Sequence, residues 1–256
     1  MVKAFSVFIL FITSQFLAGL ISLMMVNWDN IVKGQGIDWL RAGEVAPATL
    51  GVSTFIAYLL LITLLWLLRL MSERPFQNFA RPFLRSYAGL LAAFVFGAFG
   101  VSMLLHPFQL DDLGHLTQLY QMLGSWPSLL LICVLGPVIE EVVFRDGIQR
   151  HLTADGMRPW LAIVISAATF AVIHMNMAQA VPAFILGIGL GWLYQKTGDM
   201  RLCVPAHIMN NTLAVVTVKF TYIDSAMQQL PVAAGIAAGG ALVVAAVWLF
   251  YKFYRQ

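Results

Sequence analysis

Apolar residues fall in eight runs, at about 5–26, 47–70, 86–105, 128–149, 160–178, 181–195, 202–220 and 231–251. Most are near the twenty or so residues that a helix needs to cross a bilayer. The sixth is short, and the fifth and seventh carry polar residues. The runs predict an all-α polytopic protein with about eight transmembrane helices around an intramembrane polar site. Nothing long enough to divide the chain separates them, so residues 1–256 read as a single transmembrane domain. The polar positions inside the runs are few and clustered. Glu140, Glu141, Arg145 and Asp146 lie within seven residues of the fourth run, where a charge costs at least a few kcal/mol to insert. Such a cluster predicts a functional site, or else a buried ion pair that only fixes helix packing.

Composition strengthens this picture. The chain is 60% hydrophobic and 11% charged, outside the usual range of soluble domains. Its net charge of +3 is spread between the apolar runs and forms no patch for nucleic acid. With the N-terminus inside, the cytoplasmic side receives Lys3, Arg69, Arg74, Arg81, Arg85, Arg145, Arg150, Arg158, Lys196, Arg201, Lys252 and Arg255, while the other side receives Lys33, Arg41 and Lys219. Twelve against three predicts both termini in the cytoplasm and an even number of spans. A bacterial inner membrane suits such a chain. The N-terminal run lacks a convincing cleavage site and reads as a retained span. The Arg- and Phe-containing segment 71–85 reads as a loop on anionic headgroups, and 106–127 as an interfacial stretch. Cys133 and Cys203 form no CxxC motif and read as small core residues. His106, His115 and His151 read as solvated loop residues.

Spacing sorts the charges of the fourth run. Glu141 and Arg145 are four apart, share a helical face and can pair. Glu140 is turned about 100° away and is not neutralised by that pair. Pro137 loosens the helix just before the carboxylates. Polar groups that could meet Glu140 lie on two further runs: Phe170 and His174 four apart on the fifth, His207 and Asn211 four apart on the seventh, with Pro205 just ahead. Measured at about 1.5 Å per residue from the cytoplasmic end of each run, Glu140 stands at about 12 Å, His207 at about 8 Å and His174 at about 21 Å. Those depths bring the three together only with tilt or with different boundaries. Gly187 and Gly191 form a small-xxx-small face for a neighbouring helix, and the Gly and Ala of 233–242 likewise suggest close packing of the last run.

Glu140-Glu141-Val-Val-Phe-Arg145, Phe170-Ala-Val-Ile-His174 and His207-Ile-Met-Asn-Asn211, in that order and inside apolar runs, resemble the signature of the CPBP intramembrane proteases, the CAAX protease and bacteriocin-processing (Abi) family. The resemblance covers about residues 128–215. It departs from the family at Asp146, where Gly usually follows the Arg, and this leaves the substrate range open. The resemblance implies an endopeptidase acting on membrane-embedded or lipidated peptides or proteins at the bilayer. Glu140 would be general base on a water held with His174, and His207 with Asn211 would form the oxyanion site. Glu141, Arg145 and Phe170 would be supporting residues. A carboxylate partly removed from water is a stronger base, and fixed donors in a dry site stabilise developing charge.

In this reading no cofactor is required. An alternative makes Glu140, His174 and His207 zinc ligands of a metalloendopeptidase, an acceptable donor set, although no HExxH helix is present. Two readings from other classes are a proton-coupled transporter, since intramembrane Glu and His also build proton relays, and a noncatalytic membrane scaffold. The lack of an inverted repeat counts against the first, and the complete set of four polar residues against the second. No nucleic-acid partner is expected.

Overall fold

The computed structural model describes residues 1–34, 47–72, 85–113, 123–220 and 229–254. Most of segment 71–85, His115 and part of the 106–127 stretch lie outside these. Among the described residues there is helix and no strand. The main helices are α1 (Val2–Val26), α2 (Pro47–Leu67), α3 (Arg85–Leu105), α4 (the rod from Trp126 to Ala154), α5 (Pro159–Val172), α6 (Met177–Thr197), α7 (Met200–Lys219) and α8 (Val232–Tyr254). Five of these, α1, α3, α4, α6 and α8, are long and apolar enough to cross a membrane, while α2 and α5 supply shorter apolar stretches. α7 carries Arg201, His207, Asn210, Asn211 and Lys219, which dilute its hydropathy. Phe5, Phe16, Leu59, Trp66, Val244 and Val247 project outward from α1, α2 and α8. A bilayer covers such faces, and the chain is an integral, multi-pass membrane protein.

Helix ends follow local sequence. Pro159 stands at the first turn of α5, where its missing N–H costs nothing. At the start of α6, Asn176 accepts from the Gln179 N–H and donates back to the Gln179 side chain. α6 ends at Gly198, whose φ of 60° lies in the left-handed region that glycine adopts freely. Asp199 caps α7, accepting from the Arg201 N–H at 2.9 Å and from its guanidinium at 2.7 and 2.8 Å, while the Tyr87 hydroxyl of α3 donates at 3.2 Å.

Burial by itself pushes the Asp199 carboxyl up, but these donors more than offset it and hold the group below the usual carboxylate range. Its contribution to stability is therefore present above about pH 4 and is lost as pH falls through the lower folded value. Asp199→Asn is expected to lower the unfolding temperature at pH 7, and the difference from the parent should vanish on acidification. Thermal unfolding in detergent across pH checks this.

Two helix pairs approach closely through glycine. A Cβ on Gly100 of α3 would stand 2.8 Å from the Gly239 carbonyl of α8, and one on Gly239 would stand 2.8 Å from the Gly100 carbonyl. Gly187 and Gly191 of α6 face α5, where added Cβ atoms would meet Ala167 at 3.0 Å and Ile163 at 3.1 Å. Both expected small-residue faces are thus occupied by a neighbouring helix. Gly239→Val is expected to cost about 1–3 kcal/mol of stability through overpacking. Gly240→Val, one residue on, has open space around it and should be tolerated. Paired unfolding curves test the contrast.

The interior gathers around α4. Phe11 of α1, Phe144 of α4 and Phe170 of α5 stack edge to face at 5.6 and 5.1 Å, and Leu61 and Leu65 of α2 join the same core. His151 is not solvated as its loop-like setting suggests. It is buried, with Nε2 2.8 Å from the Leu70 carbonyl. Asp146 is buried beside it, accepting from the Ser72 N–H at 2.7 Å and from Arg150 at 3.1 Å. These bonds tie the chain leaving α2 to the end of α4.

Candidate active site

α4 is not a uniform helix. It winds at π-helical pitch over Leu131–Leu135, returns to α-helical pitch over Gly136–Glu141, and is π-helical again over Val142–Gln149. Wider turns of this kind turn side chains away from the directions a regular helix gives them, and they recur at functional sites. α4 also continues to Ala154, so Glu140 stands about 21 Å from that end, close to the depth of His174 on α5. The start of α7 is buried in protein, with Met200, Arg201 and Leu202 all inside.

The expected Glu141–Arg145 pair forms, with Arg145 Nε donating to Glu141 Oε2 at 3.0 Å and both side chains wholly buried. Arg145 Nη1 also donates to Ser166 Oγ at 3.1 Å, and Ser166 donates to the Phe144 carbonyl at 2.7 Å. The guanidinium carbon lies 5.7 Å from the Phe170 ring centre. Glu141 has a second partner that spacing within α4 could not reveal: its Oε1 is 2.9 Å from His207 Nδ1. A carboxylate oxygen accepts, so Nδ1 carries the proton. The other ring nitrogen, Nε2, is 3.4 Å from Glu140 Oε2. His207 is buried between two adjacent carboxylates, and Glu140 is the more open of them, with 16% of its side chain exposed against none for Glu141.

His174 lies just beyond the last turn of α5, in the bend where Met175 takes a φ of 56°. Its Nδ1 is 2.9 Å from the Phe170 carbonyl, which fixes the proton there and leaves Nε2 with a lone pair. Phe170 stands between the imidazoles, with its ring edge-to-face with His174 at 5.0 Å and His207 at 5.4 Å. A chamber of about 300 Å³ is lined by Phe170, His174, Gln179, His207, Asn210 and Asn211, with Ile132 of α4 in its wall. Glu140 is not in that wall and meets it through His207. Asn211 Nδ2 donates to the Ile132 carbonyl at 3.1 Å, and Asn210 Nδ2 donates to Asn211 Oδ1 at 3.3 Å.

Thus His174, His207 and Asn211 share the chamber, while Glu140 is joined to His207 and makes no hydrogen bond to His174. Among the described residues no three His, Cys, Asp or Glu side chains are grouped to hold a metal ion. His174 and His207 each hold Nδ1 on a protein acceptor, the Phe170 carbonyl and Glu141, which leaves Nε2 of each ring for a further partner. Three contributors went unread in the sequence. Ser166 shares a helical face with Phe170 and could have been found by the i, i+4 spacing. Asn210 was visible as a polar residue in an apolar run. Tyr58 of α2, whose hydroxyl would be 3.5 Å from a Cβ on Gly136 and lies within electrostatic reach of Glu140, gave no local signal.

The sequence of this region matches a family described as type II CAAX prenyl endopeptidase Rce1-like, over residues 122–213. A curated relative, the putative membrane peptidase YdiL of Bacillus subtilis (strain 168), is 28% identical over 83 residues, 32% of this chain and 34% of the relative. The match thus spans about a third of the relative's length. No solved structure matches significantly. Glu140, Glu141, Arg145, Phe170, His174, His207 and Asn211 all lie within the segment that is similar to the Rce1-like family.

Proposed function

We propose that this protein is an intramembrane endopeptidase that hydrolyses peptide bonds of membrane-embedded or lipidated substrates. The observation that carries the reading is the polar chamber within the matched segment, where His174, His207 and Asn211 from separate parts of the chain meet beside the Glu140–His207 contact. Glu140 is the general base, acting on a water held with His174. The resulting hydroxide attacks the scissile carbonyl, His207 and Asn211 stabilise the oxyanion, and the proton taken from water passes to the leaving amine. Glu141 holds His207 through its Nδ1–H, so His207 donates to the oxyanion from Nε2 and does so as the imidazolium, with a proton on both nitrogens. The mechanism is metal-free.

The route to the chamber supports a lipid-borne substrate. An apolar cavity of about 390 Å³ between α3, α6 and α8 shares Ala98, Pro182, Leu186 and Asn210 with the chamber wall. A hydrophobic segment or chain lying there would have an adjoining peptide bond beside the polar residues. The distribution of basic residues, twelve against three, supports a topology with both termini in the cytoplasm, which suits a bacterial inner membrane.

The test is to incubate purified protein with a library of lipidated and transmembrane peptides, beside the Glu140→Ala form, with and without a chelator. Cleavage by the parent alone, undiminished by the chelator, supports the reading. Stoichiometric zinc lost together with activity would move the mechanism to a metalloprotease, and cleavage of nothing by either protein would remove the peptidase function.

A further inference from the structure

The first change of pitch in α4 leaves a carbonyl that the helix itself does not serve in register. At the end of the π-helical turn the Gly136 N–H donates to the Leu131 carbonyl, five residues back. The next donor in that register, to the Ile132 carbonyl, would be the N–H of residue 137. That residue is proline and has none. A donor comes instead from α7, as Asn211 Nδ2 bonds Ile132 O at 3.1 Å. The bond lies at the wall of the chamber, which both residues line. Asn210 holds the other end of the Asn211 amide, so the group is fixed in orientation.

We infer that Pro137, the Ile132 carbonyl and Asn211 form a positioning clamp for the acid–imidazole centre. Pro137 denies the carbonyl its backbone partner, and Asn211 takes its place. The bond fixes the height and rotation of α4 against α7. A second set of contacts between the same helices, Glu140 and Glu141 to His207 at 3.4 and 2.9 Å, depends on that height and rotation. The two sets run in antiparallel order, eight residues apart on α4 and four on α7, so each restrains slippage at the other. One turn of α7 therefore carries both the imidazole and the group that sets its register to the carboxylates. This role is additional to the part Asn211 takes in oxyanion stabilisation, and its kinetic readout rests on the peptidase reading, whereas its structural readout does not.

The test is a double-mutant cycle of parent, Asn211→Ala, Pro137→Ala and the double variant. Pro137→Ala restores a backbone N–H that can serve the Ile132 carbonyl, and alanine is well tolerated in a helix interior. Asn211→Ala alone should lower the unfolding temperature, shift the pH profile of kcat by loosening His207, and reduce kcat on a cleavable lipidated peptide by about 10². In the Pro137→Ala background the same change should leave the unfolding temperature and the pH profile nearly unmoved and cost kcat less. Equal, additive losses in both backgrounds would overturn the clamp and leave Asn211 as an oxyanion donor only. If no form cleaves any peptide, the peptidase reading fails, and the coupling in unfolding temperature still decides the clamp. Pro137→Ser, which also restores the N–H, repeats the cycle if the alanine form does not fold.

Discussion

Glu140→Gln is expected to reduce kcat by about 10³ or more while leaving the fold and its unfolding temperature close to those of the parent. Gln keeps the volume and one oxygen of the side chain but cannot accept a proton at neutral pH, and a positioned general base contributes on the order of 10²–10⁴. The structural cost is small because Glu140 is partly exposed and its contact with His207, at 3.4 Å, is the longer of the two. His207 remains held by Glu141 at 2.9 Å. Cleavage kinetics and unfolding measured on the same preparation check both halves. A stable Glu140→Gln protein that retains parental kcat would remove Glu140 from the chemistry.

The neighbouring carboxylate should behave in the opposite way. Glu141→Ala is expected to destabilise the protein by about 3–5 kcal/mol, since it leaves the buried Arg145 guanidinium without its counter-charge. It also removes the acceptor for His207 Nδ1. Arg145 Nη2 already has no hydrogen-bond partner, so the guanidinium has no spare contacts with which to compensate. Replacing Glu141 and Arg145 together by Leu and Met should recover much of the stability, because an apolar pair carries no desolvation penalty. It should not recover activity, since His207 would still lack the acceptor that orients its Nδ1–H. Unfolding curves and kcat for the single and double variants separate the two effects. If Glu141→Ala unfolds like the parent, the buried pair is not what holds α4.

The contrast between adjacent glutamates was partly legible in the sequence. Helical spacing alone says that Glu141 and Arg145 share a face and that Glu140 does not, and the structure pairs them at 3.0 Å. Spacing could not show that His207 takes both carboxylates, because that contact spans 66 residues and depends on how α7 lies against α4. Nor could spacing show that Glu140 touches His207, or that the Phe170 ring stands between the imidazoles of His207 and His174. Burial of His151 and Asp146 was likewise hidden, since their partners are main-chain groups at Leu70 and Ser72, and a backbone carbonyl or N–H leaves no mark in the pattern of side chains.

What the sequence by itself determined about this protein follows from the bilayer as solvent. Apolar runs had to become helices, because unpaired backbone cannot face lipid. Ionisable residues inside those runs had to find partners, because a lone charge there is too costly. Those two constraints are local and identify the helices, the Glu141–Arg145 pair and the polar residues available to a site. Only the tertiary structure decided which polar residue meets which. The interior of a membrane bundle is apolar on all sides, so hydropathy does not distinguish one neighbour from another. The choice falls to close packing at glycines, to the change of pitch in α4 and to single bonds between helices, such as Asn211 to Ile132, which depend on ångström-scale fit that no repeat in the sequence records.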